Sequence, residues 1–356
     1  MKSRSNQPTL CHVIIGIAAA VLTFGAGVIG AQSEGGGFVA PKPLYRDPVY
    51  DGAADPVVIW NPHVQRWWMF YTNRRAKAPG LSGVAWVHGT AIGIAESSDG
   101  GRTWQYIGTA DIGLTTDITS DEPTYWAPDV ITAPDGTHHM FLTVVPGIFE
   151  NWQHPRDIVH LRSADLRQWT LVNTIELASD RVIDASLLQL ADGTWRMWYN
   201  NERDRKSIYY ADSPNLKSWT DKGKAVGDQG GEGPTVFRWR GAYWMITDVW
   251  DGLAVYRSDD ALNWKRQSGG NLLQTPGQGP DDQVKGSHAY TLVNEGRVYL
   301  FYFTHPGRRG PDARKDGYEQ RRSSIQVVEL KVENERLICN RDKPTEIQLV
   351  PPERQR

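Results

Sequence analysis

Five polar residues, four of them carboxylates, stand at or beside the starts of five similar strand patterns. They are Asp55, Asp129, Asp184, Glu232 and His288, at intervals of 74, 55, 48 and 56 residues. Carboxyl groups can act as general acid and general base in proton transfer. Each residue taken singly has a simpler interpretation, as a solvated strand end or as the partner of a nearby Arg. All five at equivalent positions favour an active site, because like charges packed without a function would destabilise the protein.

A repeated strand pattern supplies the frame that positions these residues. Five segments combine an apolar strand, a tight turn and an aromatic-rich strand, which is typical of a β-hairpin. The five segments begin at Asp55, Pro128, Ala185, Gly233 and His288.

Four of the hairpins are followed by a further strand and a shared turn that ends in Trp. These four residues are Trp104, Trp169, Trp219 and Trp264, at intervals of 65, 50 and 45 residues. Such intervals match a four-stranded sheet with loops of variable length. We therefore predict an all-β, five-bladed β-propeller, with the first strand of each hairpin innermost and facing a central channel. A β-sandwich is the alternative, but it does not explain five like hairpins followed by four like turns.

The first 31 residues have the composition of an export signal. Lys2 and Arg4 precede an apolar run from Val13 to Ile29, and Ala31 is small enough for a cleavage site. Residues 1–31 are predicted to be a cleaved signal peptide, with a retained membrane anchor as the alternative. The protein would then be exported to the periplasm or the extracellular space, touching a membrane only if this segment is uncleaved. We assign residues 32–340 to the propeller and 341–356 to a C-terminal tail.

Charge and cysteine content limit the functional classes. Loss of residues 1–31 would leave 37 basic and 41 acidic residues, a formal charge of −4 that argues against a nucleic-acid partner. Only Cys339 would remain, which excludes an intramolecular disulfide. The sequence has no nucleotide, flavin or haem motif, so no organic cofactor is expected.

Three acidic motifs resemble those of glycoside hydrolase family 43 and its five-bladed relatives. They are "AADPVV" around Asp55, "YWAPDVI" around Asp129 and "EGPTVF" around Glu232. The likeness extends over essentially the whole mature chain. It implies that Asp55 is the general base, that Glu232 is the general acid, and that Asp129 tunes the pKa of the acid and orients the substrate. Inverting hydrolysis places base and acid about 6.5–9.5 Å apart, which opposite walls of a propeller funnel can provide.

Further residues are candidates for sugar binding. We predict that Asp184 binds sugar hydroxyls and that Trp126 forms a pocket wall, with a strand-end cap and packing between blades as the alternatives. Trp86 and His88 lie in a long first-blade loop, residues 74–89, which would cover the pocket.

The motif "GSHAY" places His288 on the fifth blade. It lies near the position of a His that in similar enzymes lies under the substrate or beside a bound calcium ion. As a neutral ring it could donate a hydrogen bond to a sugar hydroxyl or hold a water on a metal. We predict substrate contact and no metal ligand, with a calcium ion nearby and a structural role left open.

The sequence predicts an inverting glycoside hydrolase that acts on plant or algal poly- or oligosaccharides. Long loops tend to close one end of the funnel, so we predict exo action similar to that of an arabinofuranosidase or xylosidase. A glycoside phosphorylase and a non-catalytic glycan-binding propeller are the alternatives. An acid and a base on opposite walls favour catalysis, since binding alone does not need them. The basic segment from His305 to Arg322 is interpreted as a loop on the fifth blade, with reading of acidic glycans as the alternative.

Overall fold

Strands make up most of the regular structure. The computed structural model describes residues 38–114 and 122–352, so the signal segment predicted at 1–31 lies outside the described residues. Across those two ranges, no helix has the length and apolar character needed to cross a lipid bilayer. The one α-helix described there, α1 (Tyr318–Arg321), is a single turn in the fifth-blade loop.

Five sheets and one short strand pair account for the strands. The pair is β1 (Phe38–Val39) with β23 (Glu346–Ile347). Blade 1 contains β2 (Ala53–Asn61), β3 (Arg66–Asn73), β4 (Ala91–Ser97) and β5 (Gln105–Thr109). Blade 2 contains β6 (Asp111–Gly113), β7 (Thr124–Thr132), β8 (His138–Val145), β9 (Asp157–Ser163) and β10 (Gln168–Thr174). Blade 3 contains β11 (Val182–Gln189), β12 (Trp195–Asn201), β13 (Ser207–Ser213) and β14 (Thr220–Val226). Blade 4 contains β15 (Glu232–Trp239), β16 (Ala242–Asp248), β17 (Leu253–Ser258) and β18 (Lys265–Arg266). Blade 5 contains β19 (Ser287–Asn294), β20 (Arg297–Thr304), β21 (Ser324–Glu333) and β22 (Arg336–Ile338).

The strand order confirms the predicted five-bladed propeller. Each blade is an antiparallel meander, with β6 added in parallel to the outer edge of blade 2. The first hairpin strands β2, β7, β11, β15 and β19 contact one another in turn and return to β2, so they form the inner ring.

The shared turn before each Trp is built by a Ser and an acid or amide two residues later. Ser97 donates to Asp99 at 2.8 Å, and Ser163 donates to Asp165 at 3.0 Å. The acceptor oxygen also receives backbone N–H groups, as Asp165 does from Arg167 at 2.8 Å. This Asx-type turn explains why the sequence repeats the same short motif between the third and fourth strands of four blades.

Aromatic side chains fill the spaces between neighbouring blades. Phe70 and Trp169 pack between blades 1 and 2, Trp198 and Met245 between blades 3 and 4. Each such side chain contributes roughly 1.5–3 kcal/mol when fully buried. Most of the many Trp residues therefore stabilise the ring instead of facing the channel.

The two ends of the described chain close the ring between blades 5 and 1. Tyr45 bridges to Ile325 of β21, while β1 pairs with β23. Ile347 and Leu349 are buried in the cluster shared by both blades, and Leu349 donates its N–H to Gly100 O at 2.8 Å. The segment assigned from sequence to a C-terminal tail thus supplies part of the closure.

Every inner strand has a β-bulge near its start, at the end of the channel where the strands begin. The ladder registers shift there in all five strands. Residues in the left-handed region mark the bulge in four of them: Asp55 (φ 51°), Ala127 (φ 42°), Asp184 (φ 61°) and Gly233 (φ 57°). A bulge re-aims side chains and is common beside functional sites.

Candidate active site

The structure brings four of the five sequence-predicted polar residues into one cavity. The cavity has a volume of about 540 Å³ and is lined by Asp55, Asp184, Glu232 and His288, from blades 1, 3, 4 and 5. Its size lies in the range of small-molecule sites, roughly 300–1,000 Å³. Asp55 and Asp184 occupy bulge positions and His288 is the unpaired residue of its bulge, while Glu232 immediately precedes the bulge of β15.

Asp129 is the exception, and the expectation that it lies in the funnel beside Glu232 needs correction. The bulge position of β7 is Ala127, and Asp129 follows two residues further along the strand, away from the cavity. Its carboxylate is buried and accepts the Leu187 N–H at 2.6 Å. Burial raises its pKa to about 7, against the hydrogen bond from Leu187. The Asp of "WAPDV" thus faces the neighbouring inner strand instead of the cavity.

Asp55 is held as an ionised carboxylate. The Arg74 guanidinium donates to both carboxylate oxygens, at 3.0 and 3.1 Å, and His288 Nδ1 lies 3.3 Å from Oδ1. Burial alone would raise its pKa, but the charges of Arg74 and His288 outweigh burial and hold the pKa well below its usual range. An ionised carboxylate is the form a general base requires.

His288 is a cation in this site and not the neutral ring expected from sequence. Burial lowers its pKa, but the hydrogen bond to Asp55 and the charges of Asp184 and Asp248 raise it to about 9. The ring packs directly on Gly233, where an added Cβ would lie 2.5 Å from it. The Gly of "EGP" is therefore needed for close approach as well as for its positive φ.

Asp184 is hydrogen-bonded to the strand that carries Glu232. Its Oδ2 accepts the Gly233 N–H at 2.9 Å. Burial and the negative charges of Glu232 and Asp55 raise its pKa to about 7, against the opposing charge of His288. Asp184, and not Asp129, thus lines the cavity together with Asp55 and Glu232.

Glu232 begins β15 and forms two side-chain contacts. Lys206 Nζ lies 2.7 Å from one carboxylate oxygen, and the Trp250 indole donates to the other at 3.2 Å. Lys206 is shared with Glu202 at 2.9 Å. Trp250 is 51% exposed, so it presents an aromatic face beside Glu232 at the cavity.

Asp248 lines the cavity and was missed from sequence. It pairs with Glu232 across the β15–β16 ladder. Its carboxylate accepts the backbone N–H of His288 at 2.8 Å and that of Trp250 at 2.7 Å. Burial and the charge of Glu232 raise its pKa to about 6. Regular pairing outward from the Arg240–Gly241 turn would place Asp248 opposite Gly233, and the bulge of β15 moves it opposite Glu232.

Two of the three aromatic candidates line the cavity. Trp86 and Trp126 do so, and the Trp126 indole donates to Val87 O at 2.6 Å. His88 does not line the cavity. It is fully buried, its ring packs on Trp126 at 5.1 Å, and burial lowers its pKa to about 4. Its position corrects the expectation that it contacts sugar.

Cations are more numerous in the cavity than the sequence indicated. They are Arg74, Arg156, Arg181, Lys206 and Arg308. All five lie in loops outside the strands. The loop of Arg74 and the basic segment of Arg308 were noted from sequence, whereas the loops of Arg156, Arg181 and Lys206 carry no motif that would place them on the cavity wall.

No described residues form a group of three or more His, Cys, Asp or Glu arranged to hold a metal ion.

The fold resembles solved carbohydrate-active enzymes, although the sequence matched neither a protein-family model nor a curated protein. A thermostable family-43 glycoside hydrolase aligns with a TM-score of 0.58 and 18% identity, over 86% of this chain and 99% of its own. An endo-1,4-β-xylanase from Bacteroides thetaiotaomicron aligns with a TM-score of 0.60 and 16% identity, over 86% and 100%. A GH43 β-xylosidase/α-arabinofuranosidase from a compost microbial metagenome, solved with xylotriose in a calcium-free form, aligns with a TM-score of 0.56 and 13% identity, over 89% and 98%.

The chain has the five-bladed propeller fold of these enzymes. The five-bladed fold implied by the resemblance of "AADPVV", "YWAPDVI" and "EGPTVF" is thereby confirmed. Both alignments cover almost the full length of the solved chain, so the propeller corresponds to the whole of each of these two structures.

Proposed function

We propose that this protein is an inverting glycoside hydrolase in which Asp55 is the general base and Glu232 the general acid. The observation that carries this proposal is the convergence of Asp55, Asp184 and Glu232 on one cavity in different electrostatic settings. Asp55 is kept ionised by Arg74 and His288, whereas the pKa of Asp184 is raised to about 7 by burial and by neighbouring carboxylates. Carboxyl groups whose environments push their pKa values apart are typical of acid–base sites.

The proposed reaction is a single displacement. Asp55 takes a proton from water, the water oxygen attacks the anomeric carbon, and the glycosidic C–O bond breaks as Glu232 gives its proton to the departing oxygen. Arg74 and His288 orient the Asp55 carboxylate, since Arg74 donates to both oxygens and His288 contacts Oδ1. Asp184 takes the role that the resemblance gave to Asp129, because its carboxylate lines the cavity and accepts the N–H of Gly233, the residue after Glu232.

Substrate binding must displace one of the contacts that Glu232 makes in the free protein. Lys206 occupies one oxygen of the carboxyl group at 2.7 Å. In the productive complex the leaving-group oxygen takes the place of that ammonium, and the exposed Trp250 ring provides an apolar face for the sugar that departs.

The substrate class proposed is a plant or algal oligosaccharide or polysaccharide, cleaved from one end. The solved neighbours are named as a xylanase and a β-xylosidase/α-arabinofuranosidase, which supports pentose-containing chains as the first substrates to try. Exo action is supported by the loops that bring Trp86 and Arg308 over the cavity wall. We propose export to the periplasm or extracellular space on the basis of residues 1–31.

A glycoside phosphorylase is the second candidate, favoured by the number of cations that line the cavity. Its reaction would use phosphate in place of the water that Asp55 activates. Turnover that depends on phosphate would identify this candidate.

The test is aryl alcohol release from a panel of furanosides and pyranosides, measured with and without phosphate. Wild type should turn over at least one glycoside without phosphate, and Asp55→Asn should lower that rate by on the order of 10²–10⁴. Asp135→Asn, on the exposed hairpin turn of blade 2, is the matched control and should match wild type. No turnover across the panel, with sugar binding equal in wild type and Asp55→Asn, would favour a glycan-binding propeller instead.

A further inference from the structure

Arg308 lines the cavity without a carboxylate partner. Arg74 is paired with Asp55, and Lys206 with Glu232 and Glu202. Within residues 38–114 and 122–352, no carboxylate forms an ion pair with Arg308. Asp316, the nearby acid of its own loop, is paired with Arg321 at 2.6 Å.

The fold holds Arg308 in place despite its exposure to the cavity. Its backbone N–H donates to His305 O at 2.9 Å, and its Nε donates to Gln320 O of α1 at 3.0 Å. The preceding Gly307 packs so closely on α1 that an added Cβ would lie 2.0 Å from Glu319 O. The two terminal nitrogens have no partner among the described residues, so their donors are available to a ligand.

Arg308 also stands next to a second guanidinium. The guanidinium carbon of Arg308 lies 5.9 Å from the centre of the Trp86 ring. In the same cluster, Arg74 donates to His305 Nε2 at 3.2 Å. The surrounding loops displace bulk water, and this with the charge of Arg74 lowers the pKa of Arg308 to about 10. His305 is neutral, because its Nδ1 donates to Arg322 O and burial holds its pKa well below the usual range. Two positive groups and one neutral ring thus share this wall with a single carboxylate, Asp55.

The rest of the cavity does not supply the missing negative charge. Asp184 and Asp248, with pKa values raised by burial to about 7 and about 6, carry only part of their charge near neutrality. His288, raised by its acidic neighbours to about 9 against the effect of burial, is positive. The other two carboxylates of the cavity, Glu202 and Glu232, are paired with Arg156 and Lys206. Among the described residues, Arg181 and Arg308 have no carboxylate partner, so positive charge exceeds negative charge where a ligand would bind.

We propose that Arg308 binds an oxyanion carried by the sugar to be released, a uronate carboxylate or a sulfate ester. This inference rests on the proposed function, and it names the substrate class of the same cavity. Arginine suits the task because its planar guanidinium recognises carboxylate and sulfate-like groups with paired donors.

The position of Arg308 assigns the charge to the released sugar and not to the leaving group. Arg308 lies with Arg74, Trp86 and His305 on the wall that holds the base Asp55. Glu232, which would protonate the leaving group, lies on blade 4 beside Lys206 and Trp250. The sugar attacked by water lies against the first wall, so its substituents meet Arg308.

The test is calorimetric binding of galacturonate, galactose 6-sulfate, galactose and inorganic phosphate to wild type, Arg308→Gln, Arg308→Lys and Arg309→Gln. Wild type should bind one of the two acidic sugars at least about tenfold more tightly than galactose. Arg308→Gln should remove that advantage and Arg308→Lys should restore part of it, because a lysine keeps the charge but not the paired donors. Arg309→Gln is the matched control, since Arg309 is the exposed next residue and does not line the cavity.

Three results would overturn the inference: galactose bound as tightly as both acidic sugars, an acidic preference that survives in Arg308→Gln, or Arg308-dependent binding of phosphate alone. Because the readout is binding, it separates this inference from the proposed reaction. Arg308-dependent binding of an acidic sugar would support the inference even if no glycoside were hydrolysed. Asp55-dependent hydrolysis, in a protein that binds neither acidic sugar more tightly than galactose, would refute only the inference.

Discussion

At the scale of single residues, substitutions of Asp184 and Asp129 test which of the two carboxylates assists the proposed acid and base. Asp184→Asn should lower kcat by on the order of 10²–10⁴, because it removes a carboxylate that lines the cavity and is bonded to the residue after Glu232. The Asn side chain can still accept the Gly233 N–H, so the fold should be kept. Steady-state kinetics on the best substrate of the panel gives the measurement.

Asp129→Asn is the matched control for that substitution. Its carboxylate accepts a buried backbone N–H outside the cavity, so kcat should stay within a few-fold of wild type. A large loss of kcat in Asp129→Asn with none in Asp184→Asn would restore the role that the sequence resemblance gave to Asp129.

Asp129 should also make stability depend on pH. Because burial raises its folded-state pKa from 3.8 to about 7, the protonated form stabilises the fold below pH 3.8. That stabilisation is lost as pH rises from there to about 7, by at most a few kcal/mol at 1.36 kcal/mol per pKa unit. Urea unfolding at pH 5, 6 and 7.5 should show a smaller fall in the free energy of unfolding for Asp129→Asn. An equal fall in both proteins would contradict this assignment.

His288 should make the stability of the fold decrease at alkaline pH. Its folded pKa is raised from 6.5 to about 9, so the imidazolium contributes stability that is fully present below pH 6.5 and is lost as pH rises through about 9. His288→Gln should remove this loss, which urea unfolding at pH 6, 7.5 and 9.5 would detect. The same dependence in His288→Gln would mean that another group titrates there.

The sequence identified acidic residues of the cavity, but it did not show where each carboxylate stands relative to the bulge of its strand. Asp55 and Glu232 were found from their motifs and do line the cavity. Asp129 was misplaced because "WAPDV" looks like the start of a strand, whereas the structure puts Ala127 at the bulge. Contacts between blades, such as Lys206 with Glu232, were not predictable because they join loops far apart in sequence.

At the scale of elements, the β-bulge is the device that turns a repeated strand start into a site. Hairpin boundaries followed from turn residues and from aromatic-rich second strands. The bulges did not, because a one-residue register shift leaves little trace in an apolar strand pattern. The proline after Asp55 and after Gly233 is the available signal, since a bulge tolerates a residue without an N–H donor.

Gly233 tests whether the bulge positions His288. Gly233→Ala should lose activity and stability together, since its Cβ would lie 2.5 Å from the His288 ring in addition to straining a φ of 57°. The strain alone should cost about 1–2 kcal/mol. Kinetics and thermal unfolding of the purified variant provide both readouts.

Gly241→Ala is the control within the same blade. Gly241 also has a positive φ, 82°, but its Cβ would meet nothing within 4 Å. It should lose only the stability that strain costs, about 1–2 kcal/mol, and keep its kcat. If both variants lose kcat equally, contact with His288 is not what Gly233 provides.

At the scale of the whole molecule, the ring is closed by the ends of the described chain. Ile347→Ala should lower the free energy of unfolding by about 2–5 kcal/mol, because Ile347 is fully buried between blades 5 and 1. The exposed neighbour variant Gln348→Ala should change it by no more than about 0.5 kcal/mol. Equal effects in urea unfolding would show that the C-terminal segment does not contribute to closure.

The number of blades was predictable because each repeat carries its own hairpin and turn signals. The closure was not, since β1 and β23 are two residues each and pair across most of the chain. The charge of the cavity also belongs to this scale. It arises from cations on several blades, and no single stretch of sequence shows their sum.

The measurement that tests the proposed reaction most directly is proton NMR of the first sugar released from the best substrate of the panel. Wild type should release the sugar with the anomeric configuration opposite to that of the substrate, before mutarotation, and without phosphate. Asp55→Asn should release little sugar of either configuration. A product of retained configuration, or a sugar phosphate, would contradict single displacement by water activated at Asp55.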